Sequence, residues 1–292
     1  MSELTSSTIN FDLNPLFALF SSFLLAFSYV SSLYIKSTKE GRNHPMTIKI
    51  RFLAVTTSCV LATPFLYLLS NSDPKGHTLW EWLGLRSRGL VLGGTLPLLL
   101  TMILFCGPLV QRYDAGVFEI YRDMNYWKTS LSNIYWIRNH IMGPVSEEFL
   151  FRACLMPLMV PTFGWKAAVC FCPIFFGLAH FHHMLQKIQF EGLEFKTAFF
   201  QSAFQFCYTT TFGAYCAYIF VRTGHLLGPI LCHSFCNHMG LPDINEVLNE
   251  DDFDKKARAI CFYLLGPVLF FMLLKPLTTP VLFSNDVYYQ YL

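Results

Sequence analysis

The stretch Ile141-Met142-Gly143-Pro144-Val145-Ser146-Glu147-Glu148-Phe149-Leu150-Phe151-Arg152-Ala153-Cys154-Leu155-Met156-Pro157-Leu158-Met159-Val160 carries two carboxylates and a guanidinium inside an otherwise apolar run. An ionisable group at the centre of a membrane helix costs about 2.5–3.5 kcal/mol on insertion scales, so three together require mutual pairing, water or a function. Glu148 and Arg152 are four apart and share a helix face, where they can pair. Glu147 lies about 100° around the helix from Glu148 and is left for another partner.

The surroundings mark this as a membrane sequence. Of 292 residues, 53% are hydrophobic and 14% charged, against about 25% charged in a soluble domain, and the mean hydropathy is +0.41. Runs of about 20 apolar residues cross a hydrocarbon core of about 30 Å. Eight candidate segments lie near 13–35, 48–70, 89–110, 133–160, 165–185, 195–221, 226–241 and 256–274. The predicted fold is all-α: a polytopic membrane protein of about eight transmembrane helices in one domain, 1–292. The segment ending near Met159 is long, and the one from Leu226 to Leu241 is short and polar, so both are expected to tilt or break. Acidic Glu3 and Asp12 precede the first segment, with no basic n-region or small-residue cleavage site, so it is expected to remain as an anchor.

Lys and Arg are unevenly divided between alternate loops. The first, third, fifth and seventh loops hold fourteen, from Lys36, Lys39, Arg42, Lys49 and Arg51 onward; the other side holds six. The positive-inside rule puts the odd loops in the cytosol and both termini outside. A net charge of +2 with no basic stripe argues against nucleic acid as a partner. The ten cysteines all sit in apolar stretches, and most read as small buried hydrophobes. Cys232 and Cys236 have no second thiol pair to complete a zinc site. No HExxH helix occurs, and His180 with His183 does not replace one, so neither metal nor cofactor is expected.

Histidine supplies partners for the carboxylates. In Phe176-Gly177-Leu178-Ala179-His180-Phe181-His182-His183, His180 lies one turn beyond Phe176 and shares a face with His183; the Phe-rich face is expected to pack in the core or against lipid. In His233-Ser234-Phe235-Cys236-Asn237-His238, His233 and Asn237 project together. A carboxylate beside an imidazole can hold a water and take its proton. An imidazole N–H and an amide on one face can donate to a developing oxyanion. Together these make an acyl-hydrolysis set without a Ser or Cys nucleophile. A thiol mechanism is a minor alternative, because Cys154, Cys232 and Cys236 lie near these residues.

The order Glu147-Glu148-Phe149-Leu150-Phe151-Arg152, then Phe176-Gly177-Leu178-Ala179-His180, then His233-Ser234-Phe235-Cys236-Asn237 resembles the CAAX prenyl endopeptidase 2 family, the Ras-converting type. That family belongs to a wider intramembrane glutamate-protease and bacteriocin-immunity-like superfamily. The resemblance covers about 120–245, the expected protease core, and its context is similar to the eukaryotic branch. It implies an intramembrane catalytic cavity in which Glu147 activates water with help from His180, His233 and Asn237 stabilise the oxyanion, and Glu148 and Arg152 give support. It further implies removal of the last three residues of farnesylated or geranylgeranylated CAAX proteins, such as Ras-like small GTPases, at the endoplasmic reticulum membrane. The residues that bind the substrate are not identified by it. A non-proteolytic scaffold of the same superfamily and a proton-coupled carrier using the same polar groups are the rival expectations; a carrier is disfavoured by the lack of an inverted repeat.

Overall fold

The computed structural model describes residues 7–36 and 41–292, so Glu3 and Lys39 lie outside the described residues. Helices dominate and their starts follow from local chemistry. Helix α1 (Pro15–Ser32) opens with Pro15 at its first position and Asn14 as cap, the Asn14 side chain accepting from the Leu16 N–H. Helix α2 (Pro45–Leu69) repeats the device with His44 and Pro45. Helices α3 (Leu90–Leu104) and α4 (Cys106–Asp114) meet at a 72° bend. After a broken stretch come α5 (Gly143–Glu148) and α6 (Leu155–Phe163), then α7 (Trp165–Ala179), α8 (His182–Glu191), α9 (Phe195–Thr223), α10 (Leu227–Met239) and α11 (Phe253–Leu277).

The all-α membrane class holds, but the expected count of about eight crossing helices is not confirmed. Among the described residues four runs are long and apolar enough to cross a bilayer: α1, α2, Trp165–Glu191 and α11; the bent pair α3–α4 makes five if it is one span. The other segments are helical but fall short for physical reasons. The stretch expected to span 133–160 is interrupted by two π-helical turns, Arg138–Met142 and Phe149–Cys154, which flank α5. Helix α9 is long but carries Gln201, Gln205 and a Thr209-Thr210-Thr211 run. Helix α10 has only 13 residues and is unbroken, so of the two expectations for this short segment a break is not what occurs. Large apolar side chains such as Leu53, Leu68, Phe200 and Phe271 point outward from the bundle, a surface suited to lipid and not to water.

The two ends of the bundle are built differently. At one end a small sheet joins Thr8–Asn10 (β1) to Asn71–Ser72 (β2) and His77–Thr78 (β3), both antiparallel. There Trp82 donates from Nε1 to the Ile9 carbonyl at 3.1 Å and receives the Tyr288 hydroxyl on its own carbonyl at 2.7 Å. The N-terminal strand, the loop after α2 and the C-terminal tail are thereby tied together. The opposite end gathers the odd-numbered loops, where Arg112 donates to the carbonyls of His238 and Met239, and Arg258 pairs with Asp114.

Helices α7 and α9 pack tightly around Gly177. A methyl group there would run into Thr210 Oγ1 and the Phe206 ring, the close backbone contact that small residues permit between membrane helices. Gly213, on the facing helix, likewise leaves room for Pro173, Phe176 and Arg152. Replacing Gly177 with Ala is expected to lower unfolding stability by about 1–3 kcal/mol through overpacking. Denaturant unfolding in detergent checks this, and a variant as stable as wild type would show that the contact is not tight.

Candidate active site

The polar residues singled out from the sequence converge on one cavity of about 1130 Å³. Glu147, His180, His233 and Asn237 line it; Glu148 and Arg152 lie behind its wall, the former fully buried. The expected Glu148–Arg152 pair is present, with Arg152 Nη1 donating to Glu148 Oε1 at 3.1 Å. The same oxygen takes a second, shorter hydrogen bond from His233 Nδ1 at 2.7 Å. Sequence spacing did not reveal this second partner, which lies 85 positions away. The other ring nitrogen, Nε2, faces Glu147 Oε2 at 3.9 Å, too long for a direct hydrogen bond. His233 thus stands between the two carboxylates, and Glu147 has the partner left open for it.

Phe176 joins the groups on its side. The Arg152 guanidinium sits 4.4 Å from its ring centre, a cation–π contact. The rings of His180 and Phe151 meet it edge-on, at 4.7 and 5.2 Å. Phe176 is almost fully buried, so of the two places expected for the Phe-rich face it occupies the core. Around this ring the second motif touches the first.

His180 does not continue a helical face, as was expected from its spacing to His183. Helix α7 ends at Ala179 and the His180 N–H turns back to the Gly177 carbonyl. The Phe176 carbonyl thereby loses its i+4 backbone donor, and His180 supplies Nδ1 instead, at 2.7 Å. A carbonyl can only accept, so Nδ1 carries the proton and the neutral ring has Nε2 as its basic nitrogen. The His183 ring remains 5.8 Å away.

A π-helical turn explains how α10 reaches the carboxylates. In a regular helix the Gly143 N–H would bond to the Asn139 carbonyl; here it bonds to Arg138. Pro144 has no N–H for the His140 carbonyl. Two backbone acceptors are left over, and α10 satisfies both: Asn237 Nδ2 donates to Asn139 at 2.9 Å and Ser234 Oγ to His140 at 2.8 Å. Asn237 keeps one N–H on its amide for another acceptor. π-turns inserted in helices are frequent at functional sites.

Sequence reasoning passed over Tyr29 and Ser146. The Tyr29 hydroxyl lies 2.8 Å from Ser146 Oγ, which lies 2.6 Å from the Met142 carbonyl and so braces the turn before Glu147. A lone Tyr in an apolar N-terminal segment gives no pattern by which to find it. Fewer cysteines are buried than expected: Cys154, Cys172, Cys216 and Cys232 are, whereas Cys170, Cys207 and Cys261 are exposed. Among the described residues no group of three His, Cys, Asp or Glu side chains is arranged to hold a metal ion.

A helical membrane bundle whose cavity is lined by Glu147, Asn237 and the imidazoles of His180, His182, His183 and His233 defines a polytopic membrane protein with a polar site chemically able to support hydrolysis. Comparison with known proteins gives the particular family. The family described as Type II CAAX prenyl endopeptidase Rce1-like matches residues 129–239, which hold all three motifs. CAAX prenyl protease 2 of Homo sapiens is 41% identical over 277 residues, covering 92% of this chain and 83% of the human protein. CAAX prenyl protease 2 of Arabidopsis thaliana is 34% identical over 222 residues, 70% of this chain and 69% of the plant protein. CAAX prenyl protease 2 of Saccharomyces cerevisiae is 30% identical over 282 residues, 82% of this chain and 87% of the yeast protein. No solved structure gives a significant match. The chain belongs to the type II CAAX prenyl endopeptidase family and is a membrane protease; the scaffold and carrier alternatives are not favoured.

Removing the Glu148 side chain strands a buried guanidinium and frees the His233 ring. Glu148→Ala is expected to cost about 3–5 kcal/mol of unfolding stability, the usual penalty for leaving one buried charge unpaired. Arg152→Met combined with Glu148→Leu should recover much of that loss without recovering activity, because His233 still lacks its acceptor. Thermal melting and peptide cleavage measured on the same preparations check both statements; a stable Glu148→Ala protein would contradict the first.

Proposed function

We propose that this chain removes the C-terminal tripeptide from prenylated CAAX proteins, Ras-like small GTPases among them, by direct attack of water at the carbonyl of the prenylated cysteine. The observation that carries the mechanism is the convergence of Glu147, His180, His233 and Asn237 on one cavity, with Glu148 and Arg152 behind them. Glu147 takes one proton as the water oxygen bonds to the carbonyl carbon, while the bare Nε2 of His180 accepts a hydrogen bond from the water's other O–H and orients it. The resulting oxyanion receives hydrogen bonds from His233 Nε2–H and the spare N–H of Asn237. The proton held at Glu147 then passes to the leaving nitrogen as the C–N bond breaks. Arg152 and His233 both donate to the buried Glu148 carboxylate, which limits the cost of holding it away from water. No step calls for a thiol, a metal or an organic cofactor.

The rest of the cavity suits a lipidated substrate. Its lining includes Phe204, Tyr208, Phe212, Leu104 and Phe271, an apolar wall for a prenyl chain whose burial is worth about 0.8 kcal/mol per CH₂. We read the chain as one domain with its protease core at about 120–245, crossing the endoplasmic reticulum membrane eight times when the broken 133–160 stretch, α9 and α10 are counted with the clearly apolar spans. The odd-loop end, which contributes Arg42 and Arg138 to the cavity lining, faces the cytosol, where the positive-inside rule places it.

The expected outcomes are specific. Glu147→Ala and His180→Ala each lower turnover of a farnesylated CAAX peptide by about 10²–10⁴-fold, the range of general base catalysis. Asn237→Ala lowers it by about 10²–10³-fold, as for one lost oxyanion donor. Release of the tripeptide by purified protein, with the unprenylated peptide as control, is the measurement. Equal cleavage of the two peptides, or full activity of a folded Glu147→Ala variant, would count against the proposal.

A further inference from the structure

The proposed chemistry leaves unexplained three arginines on the lining of the same cavity. Arg42, Arg51 and Arg138 all line the same cavity as Glu147. Their partners are neutral. Arg42 Nη1 lies 3.2 Å from His183 Nδ1. Arg138 donates from Nη1 to Asn43 Oδ1 and from Nε to Asn139 Oδ1, both at 3.0 Å. Arg51 lies over the Tyr34 ring at 5.9 Å, and its buried Nε has no acceptor. Among the described residues none of the three forms an ion pair with a carboxylate, whereas Arg86, Arg122, Arg152 and Arg258 all do.

Three guanidinium groups facing one partly enclosed space repel one another, and the repulsion is relieved when an anion enters. Arginine presents a planar fork of donors matched to a carboxylate. A substrate cut three residues from its end carries one such group on the leaving fragment. An extended tripeptide places its terminal carboxylate about 10 Å beyond the scissile bond, at roughly 3.3 Å per residue. The apolar wall near Phe204 and Phe212 and the three arginines lie on the same cavity as the catalytic groups, so prenyl chain and carboxylate can be held at once.

Building on the proposed hydrolysis, we infer that Arg42, Arg51 and Arg138 receive the free C-terminal carboxylate of the substrate and so fix the cut at three residues from the chain end. They act as specificity-determining residues and take no part in bond breaking. Anionic lipid headgroups are the other source of negative charge at a cytosolic surface. The substrate is favoured because these arginines line the cavity of Glu147, with the Arg51 Nε buried and without an acceptor.

The test compares kcat/KM for a farnesylated CAAX peptide ending in a free carboxylate with that for the same peptide ending in a carboxamide. It uses full-length protein in vesicles of zwitterionic lipid and, separately, in vesicles containing anionic lipid. Wild type is expected to prefer the acid by about 10- to 100-fold, in line with hydrogen bonds to charged groups. Arg51→Gln and Arg138→Gln should each bring the acid-to-amide ratio toward one, and Arg51→Lys should restore part of it. A merely structural role would slow both peptides alike and leave the ratio unchanged, which overturns the inference, as does equal cleavage of both peptides by wild type. A ratio that responds to the arginines only in anionic vesicles assigns them to lipid and also overturns it. Failure of wild type to cut either peptide would instead overturn the hydrolase mechanism, and this inference with it.

Discussion

One oxygen atom holds the site together. Glu148 Oε1 accepts from Arg152 on its own helical segment and from His233 on α10, so the first and third motifs are fixed to each other through a single buried acceptor. A carboxylate in such a place is tolerated only when its charge and lone pairs are met, and a half-satisfied polar network is worse than an apolar core. The arrangement answers this with a cation on one side and an imidazole on the other, while the Phe176 ring covers the guanidinium and abuts His180. All three motifs thus depend on the same few contacts. A change to any of them is felt first in how the rings point and only then in the chemistry.

The backbone supplies the second half of the design. Breaking the helix with π-turns on both sides of α5 costs regular hydrogen bonds, and each carbonyl released before Glu147 is taken by a side chain of α10. The irregularity therefore couples the carboxylate segment to the helix that carries His233 and Asn237. At the end of α7 the same logic operates on a smaller scale, where His180 caps a carbonyl of its own helix and fixes which ring nitrogen is free. Both devices place functional groups by satisfying backbone atoms that a regular helix would have satisfied itself.

Much of this was legible beforehand, and the limits have physical causes. The Glu148–Arg152 pair followed from i,i+4 spacing, and the convergence of polar groups followed from the cost of leaving each one in lipid. The bond from His233 to Glu148 was not legible, because periodicity reports neighbours on one helix and not between helices. The length of the 133–160 segment suggested a tilt or break, but not the π-turn that released the Asn139 carbonyl. The count of membrane helices went further than the structure supports, since hydropathy treats the stretch around Glu147 as one long segment, whereas its backbone is divided between α-helical and π-helical turns. For Phe176, phenylalanine suits core and lipid equally, so composition could not choose between them. Tyr29 had no signal at all.

The central claim is that water, oriented by the groups Glu148 and Phe176 keep in place, attacks the substrate directly, with no bond between substrate and protein. Rapid quenching of a single turnover, with protein in excess over a prenylated CAAX peptide, followed by intact-mass analysis of the protein, tests this most directly. Direct attack predicts that the protein mass stays unchanged at every time point while tripeptide and the trimmed prenylated peptide appear together at one rate. A transient protein adduct carrying the prenylated fragment, formed at Glu147 or at a cysteine, would contradict it.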